Sequence, residues 1–215
     1  SIDSVYYFKV RAYNNSGQSA FTEVLAGIPA MVVHRNMIVN GFDRVSGTIN
    51  TFDYISRYGP PMLEIEEPFV STSNEAVFRD HINLNNYDIV IWILGDESTA
   101  DETFNSLEQE KVKEYLIQGG QLFVSGAEIG WDLVDRGGDT DKEFYSDYLR
   151  ADYISDAPKG QRGTYYTTTS ISNSIFDGLD DIKFDDGNER YGFLTNVWFI
   201  CGNWKGKVRL IHEDK

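Results

Sequence analysis

Cysteine is almost absent from this sequence, since Cys201 is the only thiol among its 215 residues. One cysteine excludes an intramolecular disulfide and any metal site built from several thiolates. Basic residues are also scarce, because 19 Lys and Arg stand against 34 Asp and Glu and leave a formal net charge of −15. That acidic excess repels the phosphate backbone of nucleic acids. The composition therefore predicts no nucleic-acid partner.

Long apolar runs are missing as well. No stretch approaches the roughly 18 to 20 apolar residues that a membrane-spanning helix needs, so no membrane insertion is predicted. Hydrophobic residues nevertheless make up 41% of the chain, which is enough for a packed core. The sequence begins in a strand-like segment without the pattern of a signal peptide, and we expect it to be a piece of a longer protein.

Residues 1–29 carry the pattern of a β-hairpin. The first extended run has apolar residues at every second position, namely Tyr6, Phe8, Val10 and Ala12. A turn at 14–17 leads into a second extended run over 20–26. The spacing from Tyr6 to Ser19 resembles the last two strands of a fibronectin type III domain. This resemblance implies that 1–29 is the C-terminal fragment of such a sandwich, and the alternative is a hairpin that belongs to the main domain.

From residue 30 onward, buried strands alternate with helical segments. Continuous apolar runs at 37–39, 88–94 and 122–124 are typical of parallel strands covered on both faces. A helix is predicted between the last two runs, with Ser106 and Gln109 at the spacing of a capping box and Gly119-Gly120 at its end. Its apolar face is predicted to hold Leu107, Val112, Tyr115 and Leu116.

Two further helices are expected, over 74–82 and 141–150. After residue 151, short extended runs at 163–169, 192–201 and 207–211 predict antiparallel strands added to an edge of the sheet. The predicted fold class is therefore α/β, with a three-layer parallel sheet and added antiparallel edge strands. The main domain is expected to span 30–215.

Acidic residues follow the predicted parallel strands, where ligands bind in open sheets of this kind. Asp43 follows the first strand, Asp96 and Glu97 follow the second, and Glu128 and Asp132 follow the third. Carboxylates at one crevice can act as a general acid/base pair, bind a hard cation or accept hydrogen bonds from sugar hydroxyls. The alternative for each is simple stabilisation at a helix N-terminus. Asp43, Arg44 and Glu128 are the candidate catalytic residues, and the candidate binding residues are Asp96, Glu97, Trp131 and Asp132.

Glu128 lies in a segment with the pattern of a nucleophile elbow. Gly126 and Gly130 flank it at two residues on either side, as a sharp turn from strand to helix requires. We expect Glu128 to adopt a sparsely populated backbone conformation there. The segment resembles the class I glutamine amidotransferase-like superfamily, a flavodoxin-like fold whose elbow is Gly-x-Cys-x-Gly. Here a carboxylate replaces the thiolate, and Cys201 lies in a strand-like segment, so glutaminase activity is not expected.

The whole layout is similar to domains of secreted bacterial proteins labelled xanthan lyase or N-acetylmuramoyl-L-alanine amidase. The resemblance rests on the fibronectin-like segment, on 38–44 and on 118–132. It implies a secreted or cell-surface multidomain protein and a glycan partner. The expected function is a non-amidotransferase accessory or carbohydrate-binding domain, and the alternative is a polysaccharide or peptidoglycan hydrolase or lyase that uses Glu128.

No cofactor and no metal site is predicted. The three histidines, His34, His81 and His212, are far apart in the sequence and none belongs to a short ligand motif. The acidic residues also lie on separate strand ends without a compact Asp-x-Asp loop at the elbow. We therefore expect the clustered carboxylates to share a proton rather than to hold a cation.

Overall fold

The structure of the protein is a computed structural model that describes most of the chain. The described residues are 3–29, 34–44, 53–95, 97 and 102–153, with short pieces at 167–168, 170, 172, 177–183 and 197–202. The strands are β1 (Tyr6–Phe8), β2 (Tyr13–Asn14), β3 (Gly17–Gln18), β4 (Leu25–Gly27), β5 (Asn36–Asn40), β6 (Phe69–Ser73), β7 (Ile89–Gly95), β8 (Gln121–Ala127), β9 (Thr167–Thr168), β10 (Ile182–Lys183) and β11 (Val197–Gly202). The α-helices are α1 (Ile55–Glu64), α2 (Asn74–Phe78), α3 (Ser106–Ile117) and α4 (Asp139–Glu143).

A seven-stranded mixed sheet forms the centre of the described fold, in the order β1-β4-β6-β5-β7-β8-β11. Its four middle strands, β6, β5, β7 and β8, are parallel. At one edge β4 pairs antiparallel with β6 and β1 pairs antiparallel with β4, and at the other edge β11 pairs antiparallel with β8. The predicted α/β class is thereby confirmed. An antiparallel edge strand is confirmed at Val197–Gly202, while the predicted run at 207–211 lies outside the described residues. The prediction was wrong for the described part of the run at 163–169, because β9 pairs with β10 in a separate two-stranded sheet.

The parallel strands are apolar because helices cover both faces of the sheet. Met37 and Val39 of β5 enter a core cluster that includes Val112 and Tyr115 of α3. Ile38 points to the opposite face and packs in a second cluster with Ile55 of α1. Successive side chains of this strand point alternately into the two core clusters, so every position is buried and residues 37–39 are a continuous apolar run.

The first turn of α3 corrects the prediction of its cap. Asn105, not Ser106, is the N-cap, and its side chain accepts hydrogen bonds from the backbone N–H groups of Leu107 and Glu108. The Glu108 carboxylate accepts in turn from the Asn105 N–H at 2.8 Å, which completes a capping box one residue earlier than predicted. The prediction was also wrong for Leu107, which is 51% exposed, because at about 100° per residue it lies roughly 140° around the helix from the buried Val112.

Other helices differ in length from their predictions. The helix expected over 74–82 ends at Phe78, and the one expected over 141–150 consists of α4 followed by a π-helical turn at Phe144–Tyr148. Helix α1 was not predicted, because Pro60 and Pro61 interrupt its pattern. Within the described part of the chain, no helix is both long and apolar enough to cross a bilayer.

The N-terminal hairpin is hydrogen-bonded to the main sheet. Strand β1 pairs with β4, and β4 pairs with β6 through Gly27 and Val70. Helix α1 passes close to this edge, since a Cβ at Gly59 would lie 2.9 Å from Val5 and 3.1 Å from the Tyr7 hydroxyl. The assignment of 1–29 to a fibronectin type III domain stays a prediction.

Candidate functional site

An acidic cleft lies where the carboxyl ends of the parallel strands meet. Strands β5, β6, β7 and β8 run in the same direction, so the residues that follow them emerge at one edge of the sheet. The cleft has a volume of about 540 Å³. Its lining comprises Asp43, Glu102, Phe104, Asn105, Asp132, Leu133, Arg136, Gly137, Gly138 and Asp141. Four carboxylates and one guanidinium therefore face the same space, which gives it a negative potential.

Asp43 reaches the cleft from a loop that a buried carboxylate holds in place. The backbone N–H groups of Asp43 and Arg44 donate to Oε2 of Glu97 at 2.7 and 3.1 Å. Glu97 is 0% exposed and lies behind this loop. A carboxylate that accepts two backbone N–H groups fixes the course of the chain after β5. Glu97, predicted to bind ligand, therefore supports Asp43 from within the fold.

Asn74, the first residue of α2, joins Asp43 to a second buried carboxylate. Its Nδ2 donates to Oδ2 of Asp43 at 2.8 Å and to Oε1 of Glu108 at 2.6 Å. The pKa of Glu108 is raised to about 7, mainly by burial and also by the negative charges of Asp43 and Glu75, against the lowering effect of the hydrogen bonds from Asn74 and Asn105. Sequence reasoning missed both Asn74 and Glu108. The Asn105-x-x-Glu108 spacing of a capping box was the one available signal.

Asp132 is held rigidly at the opposite side of the cleft. Its Oδ2 accepts hydrogen bonds from the backbone N–H and the hydroxyl of Thr103, at 2.8 and 2.9 Å. Its Oδ1 lies 3.6 Å from Nη1 of Arg136. The guanidinium of Arg136 also lies over the ring of Trp131, 5.3 Å from the ring centre. Asp132, Arg136 and Trp131 thus form one polar and aromatic group on the π-helical segment Trp131–Arg136.

Asp141 is a lining residue that sequence reasoning did not select. Gln109 of α3 donates to Oδ1 of Asp141 at 2.7 Å, and the backbone N–H of Gly138 donates to Oδ2 at 2.8 Å. Gln109 also donates to the carbonyl of Phe104. These bonds tie α4, which holds Asp141, to the first turn of α3. Two of the four lining carboxylates, those of Asp132 and Asp141, are therefore each fixed by two hydrogen bonds from neighbouring residues.

Glu128 occupies the turn between β8 and the helical segment that follows. Its φ of 59° lies in the left-handed region, so the predicted backbone conformation is confirmed. The flanking glycines are required by packing, because a Cβ at Gly126 would lie 2.5 Å from Cβ of Leu94 and one at Gly130 would lie 2.9 Å from the Tyr145 hydroxyl.

Three other non-glycine residues share this positive φ among the described residues, and each follows a helical segment. Glu66 follows α1, Asp80 follows α2, and Arg150 follows the π-helical turn at Phe144–Tyr148. A left-handed residue is an ordinary way to end a helix. Glu128 differs because it stands between a strand and a helix. That position is characteristic of elbows that present a functional side chain.

The structure brings some of the predicted site residues together. Asp43 and Asp132 line one cleft, whereas its described lining includes neither Glu128 nor Trp131. Asp96 lies outside the described residues. The part of the chain that the structure describes contains no group of three or more His, Cys, Asp or Glu side chains that could hold a metal ion.

No protein-family model, no curated protein and no solved structure matches this chain. The resemblances to amidotransferase-like and fibronectin type III domains thus rest on the sequence motifs alone. Any function must follow from the chemistry of the cleft and the elbow.

Proposed function

We propose that the acidic cleft binds a carbohydrate, and that the protein is an accessory or carbohydrate-binding domain of a secreted or cell-surface bacterial protein. The observation that carries the proposal is the set of carboxylates in the cleft, where Asp43, Glu102, Asp132 and Asp141 face one space. Sugar hydroxyls are donors without charge, and carboxylates are the side chains that accept the strongest hydrogen bonds from them.

Rigid acceptors favour this function over non-specific attraction of cations. Asp132 and Asp141 each accept two hydrogen bonds from neighbouring groups, which leaves lone pairs for a ligand on Oδ1 of Asp132 and on both carboxylate oxygens of Asp141. Preorganised acceptors lose little entropy when a ligand binds. The cleft volume of about 540 Å³ also falls within the usual range for small-ligand pockets, about 300 to 1,000 Å³.

An aromatic ring adjoins the polar group of the cleft. Trp131 is partly exposed and lies one residue before Asp132. Its indole face contacts the guanidinium of Arg136, which lines the cleft. An aromatic face beside hydrogen-bonding groups suits a sugar ring, because one side of the sugar is apolar and its rim is polar. We assign Trp131 to the border of the binding surface.

The α/β layer is proposed to be an amidotransferase-like domain of flavodoxin-like type that lacks the catalytic cysteine. In support, four parallel strands carry helices on both faces, and β8 ends in a turn with a left-handed residue. The fibronectin type III origin of 1–29 is supported by the antiparallel pairing of β1 with β4.

A second function, hydrolysis or elimination of a polysaccharide or peptidoglycan, is favoured by one observation. Glu128 holds a left-handed conformation at a strand-to-helix turn, where elbow enzymes carry their nucleophile. A carboxylate there can act as base or nucleophile toward a glycosidic substrate. This function requires a proton donor or an electrophile within reach of Glu128, and Asp43 and Arg44 are the candidates.

The binding function is tested with the full chain on an array of bacterial glycans, followed by calorimetry on each positive glycan. Glu102→Gln removes a lining carboxylate and is expected to raise Kd about tenfold or more, as loss of a charged hydrogen-bond acceptor does. Glu64→Gln is the matched control, since Glu64 is exposed at the end of α1 and does not line the cleft. Equal affinities for the two variants, or binding to no glycan, would contradict the proposal.

The same incubations separate the two functions. A binding domain leaves the glycan intact, whereas a hydrolase releases new reducing ends and a lyase releases unsaturated products. If products form, Glu128→Gln is expected to abolish them while leaving binding in the cleft. Product release that survives this substitution would exclude Glu128 as the catalytic group.

A further inference from the structure

A single buried amide connects three parts of the site. Asn74 is 1% exposed and Glu108 is 2% exposed. The two hydrogens on Nδ2 of Asn74 bond to Asp43, on the loop after β5, and to Glu108, in the first turn of α3. The same amide group is therefore in contact with the cleft through Asp43 and with the interior through Glu108.

The oxygen of this amide lacks a donor. Among the described residues, Oδ1 of Asn74 is buried and accepts no hydrogen bond. One hydrogen of a primary amide lies on the same side as its oxygen, so Oδ1 lies beside one of the two carboxyl groups that accept from Nδ2. An ionised carboxylate offers only lone pairs to that oxygen. A protonated carboxyl group supplies the missing donor, and acid and amide then satisfy each other.

We propose that Glu108 carries a proton at neutral pH and donates it to Oδ1 of Asn74, and that loss of this proton at higher pH loosens Asp43 in the cleft. Glu108 is the better proton carrier of the two, because Asp43 is exposed and water stabilises its charge. The release is a simple ionisation, in which the O–H bond of the carboxyl breaks and the proton passes to solvent.

The charged groups around Glu108 favour the neutral form. Asp43 on the loop after β5 and Glu75 on α2 both act on it with negative charge. Of the lysines on α3, Lys111 pairs with Asp80, and Lys113 lies over the rings of Phe144 and Tyr148. The π-helical turn packed on α3 contributes the titratable residues Tyr145, Asp147 and Tyr148.

The same surroundings determine the pH at which the proton is expected to leave. The pKa of Glu108 is raised to about 7, mainly by burial. Above that pH, Glu108 and Asp43 are two anions held on one amide, and their repulsion acts on the loop that carries Asp43. The consequence for ligand binding rests on the proposed function of the cleft. The presence of the proton on Glu108 is independent of that function.

The proton is measured directly by a carboxyl carbon NMR titration of the full chain. The Glu108 signal, assigned through its own backbone and by its loss in Glu108→Gln, is expected to titrate with a midpoint near pH 7. Glu110→Gln, an equal change at an exposed position of α3, is expected to leave that midpoint unchanged. A Glu108 midpoint below pH 5 would overturn the proposal. The wild-type titration decides this point even if Glu108→Gln does not fold.

The pH dependence of stability also tests whether Glu108 is protonated in the folded state. Because the folded pKa exceeds the unfolded one, this contribution is fully present below about pH 4.5 and is lost as pH rises through about 7. The unfolding equilibrium constant of wild type is therefore expected to rise roughly 100-fold more over this interval than that of Glu108→Gln. Glu110→Gln should follow wild type, and equal slopes for Glu108→Gln and wild type would contradict the proposal.

Amide hydrogen exchange reports on Asp43 without any ligand. The N–H groups of Asp43 and Arg44 bond to Glu97, so their protection measures how firmly the loop is held. From pH 6 to 8, wild type is expected to lose several-fold more protection there than Glu108→Gln at the same pH. If the protection of these N–H groups changes equally with pH in wild type and Glu108→Gln, ionisation of Glu108 does not loosen the Asp43 loop. Absence of glycan binding would instead count against the proposed function alone.

Discussion

At the scale of single residues, Glu128 has a strained backbone conformation. Other residues with a positive φ, such as Glu66, adopt it for a different reason, because they end helices. A left-handed conformation costs a residue with a Cβ about 1 to 2 kcal/mol. Glu66 accepts this cost at the end of α1, where its N–H bonds to the carbonyl of Leu63 and closes the helix. At Glu128 the same conformation presents a carboxylate after β8.

Glycine at this position is expected to stabilise the protein. Glu128→Gly removes the steric cost of the positive φ but adds flexibility to the unfolded chain, so the net gain in the free energy of unfolding is about 1 kcal/mol at most. Urea denaturation measures it. Glu66→Gly is the matched control and should gain a similar amount. Lower stability of Glu128→Gly would mean that the carboxylate makes contacts worth more than the strain.

At the scale of elements, the N-terminus of α3 is the junction on which the cleft depends. Asn105 lines the cleft, caps the helix and donates its backbone N–H to Glu108, while Gln109 in the same turn bonds to Asp141. One helical turn thus positions the cleft-lining residue Asn105, the buried carboxylate of Glu108 and the lining carboxylate of Asp141 in α4. Small shifts of this turn are expected to change all three together.

The cap itself gives a stability prediction. Asn105→Ala removes the acceptor for the N–H groups of Leu107 and Glu108 and is expected to cost about 1 kcal/mol of unfolding free energy. Ser106→Ala should cost little, because Ser106 lies inside the helix at an exposed position. Thermal and urea unfolding of the two variants compare them. A larger loss of unfolding free energy for Ser106→Ala than for Asn105→Ala would show that Ser106 caps the helix, as the sequence predicted.

At the scale of the whole molecule, the net charge of −15 dominates the electrostatics. The part of the chain that the structure describes contains three salt bridges, Arg35 with Asp88, Lys111 with Asp80 and Arg136 with Asp132. In the first two pairs the carboxylate is exposed, and an ion pair at such a position contributes little. The excess of acidic over basic residues therefore opposes the compact state through mutual repulsion.

Salt is accordingly expected to stabilise the fold. Raising NaCl from about 20 mM to about 500 mM shortens the screening length and should raise Tm by a few degrees, the equivalent of about 1 kcal/mol. Scanning calorimetry measures the shift, and choline chloride should produce the same one if screening is the cause. A fall in Tm with either salt would show that attractive ion pairs outweigh the repulsion.

Patterns within a few residues of one another determined much of this protein. Continuous apolar runs predicted β5, β7 and β8, because strands buried on both faces have no polar side. Glycines at 126 and 130 predicted the left-handed turn at Glu128, because the bend leaves no room for a side chain at either position. These features depend on local sterics and on burial of whole strands, which the sequence expresses directly.

Only the tertiary structure decided which polar groups meet. Asn74 bonds to Glu108 across 34 positions of the chain, and the N–H of Asp43 bonds to Glu97 across 54. An acidic residue in the first turn of a helix has the same local pattern whether it faces water or the interior. Glu108 became a buried proton carrier because α2 and the loop after β5 close over it, and that burial, which raises its pKa, is a property of the packed molecule.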